Sequence, residues 1–495
     1  MTDVVIIGSG MGGATVAHAL ASTGAEILIL EKGEQLPERP ENRDARAIFG
    51  RGHFRPDELW YDRAGAGFNP GNYYNHGGNS KFYGAVLIRY RAQDFGGIAH
   101  ADGDAPAWPF GYDEIAPWYD RAEELYEVRG TLGEDPTEPG HAGPYPHAPV
   151  PDEPAIAEVR ARLKRIGLHP SSLPLGVDLE RWLGHGATPW DAFPDARSGK
   201  MDAETCALIP ALAHNNVRLE SGAEVVRLVA DPSGRRIAAV EYRQAGETRR
   251  VSPKLVVLAA GAVRSAAILM ASAPEGLANS SGLVGRHFMN HNLSAVIGLA
   301  PRFRNTSVYQ KTFGLNDFYL SGGPGGAPLG NIQLLGRVSG PILKANMPRV
   351  PEPVLNRMSR HAIDFLAMSE DLPDPDSRVR LDGGRIVLDW HRTNMTAHRG
   401  LVRRLKAVLR AAGFPLVLSR IFDRKTPSHQ CGTIRIGADP ARAPLDGFGR
   451  AHDHDNLFVI DASTLVTSAA VNPSLTVAAL ALRSADHIRR TDLAA

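Results

Sequence analysis

His429, Cys431, Thr433 and Arg435 lie within ten residues, SHQCGTIRIG (428–437), and each is a residue type that can do chemistry. A histidine can take a proton from a hydroxyl, because its pKa lies close to neutrality. A cysteine beside a base can become a nucleophilic thiolate. The run also fits a metal site, or a packed loop whose histidine is simply hydrogen-bonded. Nothing within ten residues decides between these. No acyl-transfer pattern accompanies Cys431, which argues against a thiol catalyst. His452 and His454 in AHDHD (451–455) are spaced like ligands. No third and fourth ligands are evident, so a solvated turn before a strand is the better reading and no metal is expected.

The two ends of the chain are more informative. VVIIGSGMGGATVAHALASTGAEILILEKG (4–33) reads strand, glycine turn, helix, strand. Val4–Ile7 is the continuous apolar run of a buried parallel strand. From Gly12 to Thr23, Ala14, Ala17, Leu20 and Ala21 share one helical face, and Gly24 is a stop. Gly8, Gly10 and Gly13 form G-x-G-x-x-G between strand and helix, and Glu31 follows at the end of the second strand. Such glycines permit a tight turn and close approach to a pyrophosphate at the helix N-terminus, while the acidic residue accepts from ribose hydroxyls. An acidic residue there repels a 2′-phosphate, which favours FAD or NAD over NADP. A second buried strand ending in a small-residue turn, LVVLAAGAVRS (255–265), favours FAD, since a long dinucleotide needs a second close backbone. In HGGNSKFYGAVLIRY (76–90), Gly77, Gly78, Asn79 and Ser80 suit a backbone packed on a flat ring system.

These pieces need positioning elements, and the remaining sequence supplies them. GYDEIAPWYDRAEELYEVRG (111–130), DEPAIAEVRARLKRIG (152–167) and TAHRGLVRRLKAVLRAAGF (396–414) read as helices, the last with a solvated basic face. The stretch 34–80 reads as long loop, and strands dominate from about 290 to 392, with a hairpin at Asp382-Gly383-Gly384. NLFVID (456–461) is a short buried strand and 472–490 a closing helix. Nucleotide-type pieces thus recur at the start, middle and end. The expected fold is α/β (α+β overall), a discontinuous Rossmann-type domain with a second, substrate-binding domain on an antiparallel sheet. The nucleotide parts are 1–100, 201–292 and 428–495, the substrate-binding domain is 293–427, and 101–200 is a cap or substrate-associated segment.

Bulk numbers are compatible with this. The 495 residues exceed one ordinary core, and 43% hydrophobic with 22% charged is ordinary globular composition. A net charge of +1 provides no field for nucleic acid or an anionic membrane, so neither partner is expected. Only Cys206 and Cys431 occur, so a disulfide framework is not available. The chain opens MTDVVIIGSG without a basic region or a cleavage site, and no run of about 18 apolar residues exists. A cytoplasmic location is expected, and the oligomeric state is left open.

With these blocks in this order, the whole chain resembles the glucose–methanol–choline (GMC) oxidoreductases. The blocks are VVIIGSGMGG, GGNSKFYG, AAGAVRSAAILMAS with GLVGRHFMNH (282–291), SHQCGTIRIG, and NLFVIDASTLVTSAAVNPSLTVAALAL (456–482). The C-terminal pair of blocks is the most specific part and is similar to the pyranose-oxidase and sugar-dehydrogenase side, where H-x-x-G-T-x-R-x-G precedes an N-P-(S/T)-L-T helix start.

The resemblance implies roles for particular positions. Gly8, Gly10, Gly13 and Glu31 would hold the ADP half of FAD, with Val225 against the adenine side. Asn79 and Ser80 would lie near the flavin, Asp461 and Ala462 at the pyrophosphate or ribityl chain, and Pro473 on the cofactor as well. His429 corresponds to the catalytic histidine and Asn472 to its partner, a second histidine in other members. Where pyranose oxidases attach FAD through a histidine, this chain has Phe82 after Lys81, so non-covalent FAD is expected. His287 and His291 read equally as a polar connector and as flavin or substrate contacts. The implied reaction is oxidation of a CH–OH group, a secondary hydroxyl of a pyranose sugar or glycoside going to a ketone. The proton leaves to His429 while Asn472 donates to the substrate oxygen, and the hydride goes to flavin. A non-sugar alcohol or another flavin chemistry is the alternative. Dioxygen, a quinone or a protein would reoxidise the flavin.

Overall fold

The computed structural model describes residues 2–184, 186–196, 199–423 and 429–494. Ser428, the first residue of SHQCGTIRIG, lies outside them. A five-stranded sheet is assembled from distant segments in the order Leu457–Val459, Pro253–Leu258, Thr2–Ile7, Ile27–Leu30, Val217–Glu220. Every pairing in it is parallel. The apolar runs explain the arrangement. Val4, Val5, Ile6, Val256, Val257 and Ile29 are fully buried, as strands covered on both faces must be. Helix Met11–Ala21 packs on this sheet and against helix Ser474–Thr491, whose residues Leu475–Ala485 are all buried. A helix apolar around its circumference has to lie inside the protein.

The second large sheet has six strands in the order Leu416–Ile421, Asn292–Leu299, Ala362–Ser369, Asn331–Gly336, Phe313–Leu315, Pro170–Ser172. All its pairings are antiparallel. Helix Met395–Ala411 covers it, placing Ala397, Leu401, Leu405 and Leu409 on the sheet and its arginines outward. Spacing by four residues makes that stripe. The hairpin Arg378–Asp382/Arg385–Asp389 turns at Gly383 and Gly384, with φ of +54° and +81°, a conformation that glycines adopt without strain.

The expected α/β class and its pairing of a parallel with an antiparallel sheet are both present. One difference falls between 290 and 392, where two helices, Gly340–Asn346 and Glu352–Ser359, interrupt the strands. Each carries a proline in its first turn, where the missing N–H costs nothing. No helix among the described residues is long and apolar enough to cross a membrane.

Candidate active site

The glycine turn sits where the central strand of the parallel sheet hands over to helix Met11–Ala21. A side chain on Gly12 would lie 1.9 Å from the Ile460 carbonyl oxygen, so the chain packs there backbone on backbone. Gly10, the residue capping the helix, differs. Nothing lies within 4 Å of where its Cβ would be. Open space at a helix N-terminus, with the first N–H groups free of intrahelical partners, is a cradle that fits a pyrophosphate. Glu31 is buried and clasps the turn, accepting from Ser9 N at 2.9 Å, Ser9 Oγ at 2.7 Å and Gly33 N at 2.8 Å. Ala223 N donates to the Glu31 carbonyl at 2.9 Å, which brings the strand carrying Val225 alongside.

The Gly77–Ser80 loop lies over the turn. Gly77 N donates to Ser9 Oγ at 3.2 Å, and a Cβ on Gly78 would be 3.3 Å from the Gly10 Cα. Asn79 is exposed and its Oδ1 accepts from Tyr73 N at 2.8 Å. Ser80 is buried and braces the loop. Its hydroxyl donates to the Gly77 carbonyl at 2.5 Å and accepts from Ala203 N at 3.1 Å. Phe82 stacks on Tyr73 with ring centroids 3.7 Å apart. The Asp461 carboxylate turns inward, accepting from Gly261 N at 2.9 Å, Ser265 Oγ at 2.6 Å and Ser463 N at 2.7 Å. A buried carboxylate requires such donors, and burial still raises its pKa.

His429 is placed by two backbone zippers. On one side Gly432, Ile434 and Ile436 donate their N–H groups to the carbonyls of Ala462, Ser463 and Thr464. On the other, Met289 and Cys431 exchange both N–H···O bonds at 2.9 Å in an antiparallel bridge. Two residues further along each strand, that register sets His291 opposite His429, and their Nδ1 atoms are 2.7 Å apart. His291 Nε2 lies 2.8 Å from the Ser468 carbonyl oxygen and 3.0 Å from that of Ala469. His287, by contrast, makes no contact with the pair that the structure records. Of the two histidines that the sequence left ambiguous, His291 is the one that adjoins His429.

Asn472, with Pro473 after it, opens helix Ser474–Thr491, and its Nδ2 is 3.3 Å from His429 Nε2. A chain of polar side chains fixes which way this amide points. Lys311 Nζ donates to Gln333 Oε1 at 3.2 Å, and Gln333 Nε2 donates to Asn472 Oδ1 at 2.6 Å. An ammonium only donates, so Gln333 must turn its oxygen to Lys311 and its nitrogen to Asn472. The Asn472 nitrogen is then left for His429, whose Nε2 must accept. Lys311 also lies 3.3 Å from Asp191. Burial, together with His291 and Lys311, pushes the pKa of His429 well below its ordinary value. Burial likewise pushes His291 down to about 4, against the pull of its two carbonyls. Both rings are neutral near pH 7. Gln333, Lys311 and His291 each lie 3% exposed or less, and only His429 is partly open.

The other candidates have structural partners. Cys431 is buried and its thiol pKa is raised well above 9, first by burial and then by Asp371 and Glu370, so a thiolate is disfavoured. His454 Nε2 takes the Ala278 N–H and His452 reaches the Gly437 carbonyl. Among the described residues Asp120, Glu123 and His141 bring ligand-type atoms together, but the Arg89 guanidinium already bridges both carboxylates.

Comparison with known proteins finds relatives along the whole chain. A family model described as GMC oxidoreductase matches residues 77–293 and 373–481 in its N- and C-terminal parts, and a NAD(P)-binding Rossmann-like domain matches 6–76. The 6‴-hydroxyparomomycin C oxidase of Streptomyces lividus is 31% identical over 98% of this chain and 91% of its own. The fructose dehydrogenase large subunit of Gluconobacter japonicus is 26% identical over 98% of this chain and 97% of its own. The crystal structure of pyridoxine 4-oxidase from Mesorbium loti superposes with a TM-score of 0.67, covering 99% of both chains at 20% identity, a likeness of fold.

Proposed function

Because the chain belongs to the GMC oxidoreductase family, we propose that it oxidises a CH–OH group of a sugar or glycoside using non-covalent FAD. The observation that carries this reading is the pairing of an unprotonated His429 Nε2 with an oriented Asn472 amide. Gly8, Gly10, Gly13, Glu31, Asn79, Ser80, Val225, Ala462 and Pro473 are the residues that would hold FAD. The open space before Gly10 supports the pyrophosphate at that turn. Asp461 would act through the backbone, its carboxylate being engaged elsewhere. Phe82 offers no atom that could form a covalent bond to the cofactor. The parallel sheet draws its strands from 1–100, 201–292 and 428–495, which supports assigning those parts to the FAD-binding unit.

When bound, FAD supplies the hydride acceptor. The chain's own residues handle the proton. A substrate hydroxyl that displaces the Asn472 N–H from His429 Nε2 gives its proton to that nitrogen, and the Asn472 amide then donates to the substrate oxygen. Gln333 prevents that amide from flipping. Because His429 is neutral in the resting site, the Nε2 lone pair that accepts from Asn472 there is not already protonated across the neutral range.

Oxidation at a ring carbon would give a ketone. The name of the relative at 31% identity carries a 6‴-hydroxyl, which favours as a second reading an exocyclic 6-position giving an aldehyde. The test is an anaerobic screen of sugars, glycosides and alcohols against the purified holoprotein, following the oxidised-flavin absorbance and identifying each product. Bleaching by a sugar or glycoside supports the reading, and the product separates ketone from aldehyde. A flavin that no sugar, glycoside or alcohol reduces would sink it.

A further inference from the structure

His291 is a buried ring aimed directly at His429, yet neither the proton transfer to His429 nor the donation by Asn472 involves it. Its hydrogen bonds define its protonation unambiguously. Carbonyl oxygens only accept, so the Nε2 facing Ser468 O and Ala469 O carries the hydrogen. A neutral imidazole has one donor and one acceptor, so Nδ1 of His291 is a lone pair. The 2.7 Å contact then requires His429 to donate from Nδ1, which leaves Nε2 as its acceptor. The opposite end of the network, starting from the Lys311 ammonium, gave the same assignment through Gln333 and Asn472. Two independent fixed ends thus agree on one proton arrangement.

The backbone is bent to make this contact. Successive carbonyls normally point apart, but Ala469 has φ +52°, in the left-handed region that a non-glycine residue enters at a cost. That turn brings two carbonyls onto one nitrogen. Ser468 is clamped in addition. Its hydroxyl accepts from Asp371 N and donates to the Asp371 carbonyl, and its own carbonyl accepts from Tyr90 OH. A loop held this firmly suits a role that depends on the orientation of what it touches.

We propose that His291, backed by the carbonyls of Ser468 and Ala469, is the positioning residue for His429. It fixes the Nδ1–H tautomer, so that Nε2 faces the substrate, and shares the positive charge across the Nδ1···Nδ1 bond. This rests on His429 being the proton acceptor. When the substrate O–H bond breaks and the proton moves to Nε2, His429 becomes an imidazolium whose Nδ1–H donates to a neutral nitrogen. That bond becomes charge-assisted and strengthens. The two carbonyls polarise His291 in the same sense, so the pair does with neutral groups what a carboxylate does for a catalytic histidine elsewhere. A carboxylate would instead attract a proton to His429 before substrate arrives. Besides His291, the charged group that acts on His429 is Lys311, and Tyr90 OH donates to the Ser468 carbonyl behind His291.

The experiment uses the holoenzyme and two readouts. In protein labelled with ¹⁵N-histidine, the His429 signal, identified by its loss in His429→Ala, is expected in the Nδ1–H form, and that of His291 in the Nε2–H form. His429 found as Nε2–H would overturn the proposal without reference to any substrate. In turnover, His291→Phe removes the acceptor and should lower kcat by about 10- to 100-fold with KM little changed. His291→Gln keeps an acceptor and a donor on one side chain and should recover at least about tenfold of that loss. In a His429→Ala background, His291→Phe should add nothing further, because it acts through His429. Full activity in His291→Phe, or an additional loss in the double variant, would refute the role. If His291→Phe does not hold FAD, the wild-type tautomers and His291→Gln still decide. Unimpaired turnover in His429→Ala alone would instead refute His429 as the base, leaving the tautomer result standing.

Discussion

Gly10 and His429 mark two regions built by opposite means. At Gly10 the protein offers emptiness, a backbone turn with nothing before it and Glu31 holding the loop from behind. At His429 it offers saturation, with both ring nitrogens gripped by side chains that are themselves gripped. The first region is local, drawn from the first 33 residues with one loop laid over it. The second is gathered from residues 291, 311, 333, 429, 468, 469 and 472, across the boundary between the two sheets. Holding a nucleotide needs donors on a rigid backbone, which one strand–turn–helix supplies. Steering a proton needs several side chains of fixed polarity, which no single element supplies.

The largest expected effects break the saturated region. His429→Ala should leave the protein folded and yellow while slowing flavin reduction by substrate about 10²- to 10⁴-fold, the usual worth of a general base. Asn472→Ala should follow with a loss of about 10²-fold, in the range for one donor to a developing oxyanion. Stopped-flow absorbance under anaerobic conditions measures both. Rates within threefold of wild type in either variant would remove that residue from the reaction.

A second pair of variants sets glycine against glycine. Gly12→Ala pushes a methyl into the Ile460 carbonyl, where only backbone can move, and should cost about 3 kcal/mol of stability or prevent folding. Gly10→Ala adds a methyl to open space at φ −71°, so the apoprotein should stay within about 1 kcal/mol of wild type. Its affinity for FAD should nevertheless fall by about tenfold or more, since the methyl occupies the cradle. Thermal unfolding of the apoprotein and FAD titration separate the two. Gly10→Ala that binds FAD normally would move the cofactor away from this turn.

The contrast also explains what could be read in advance. G-x-G-x-x-G, Glu31 and the strands beside them are spelled out in consecutive residues, so Gly8, Gly10 and Gly13 were legible. Gly12 was not, because its need for a missing side chain comes from Ile460, at the far end of the chain. His429 and Asn472 stood out through their blocks. Their helpers carried fainter signals. Gln333 lies in NIQLLG, a strand otherwise apolar apart from Asn331, and two polar residues on one face of a buried strand mark a network. Lys311 gave no signal in sequence, since its left-handed backbone, φ +55°, and its reach to Gln333 exist only in the fold. Asp461 was expected at the pyrophosphate or ribityl chain, and nothing in the sequence signalled that its buried carboxylate would bond the Gly261 N–H and Ser265, which leaves its backbone for that role.

The smallest expected effect tests whether the saturated region is tuned as well as oriented. Lys311 is one of the causes that hold His429 far below its ordinary pKa. The base must be neutral to act, so the acid limb of kcat/KM in the wild type should fall well below pH 6.5, not at it. Lys311→Met removes a cation that disfavours imidazolium, so the limb should move up, by about one pH unit at most. Asp191→Asn does the reverse. It takes away the carboxylate 3.3 Å from Lys311, leaves the ammonium less compensated, and should move the limb down. Opposite displacements from two residues on the same ion pair identify electrostatics as the cause, because damage to packing would shift both variants alike. Displacements in one direction, or none, would confine Lys311 to orienting Gln333 and leave burial as what keeps His429 neutral.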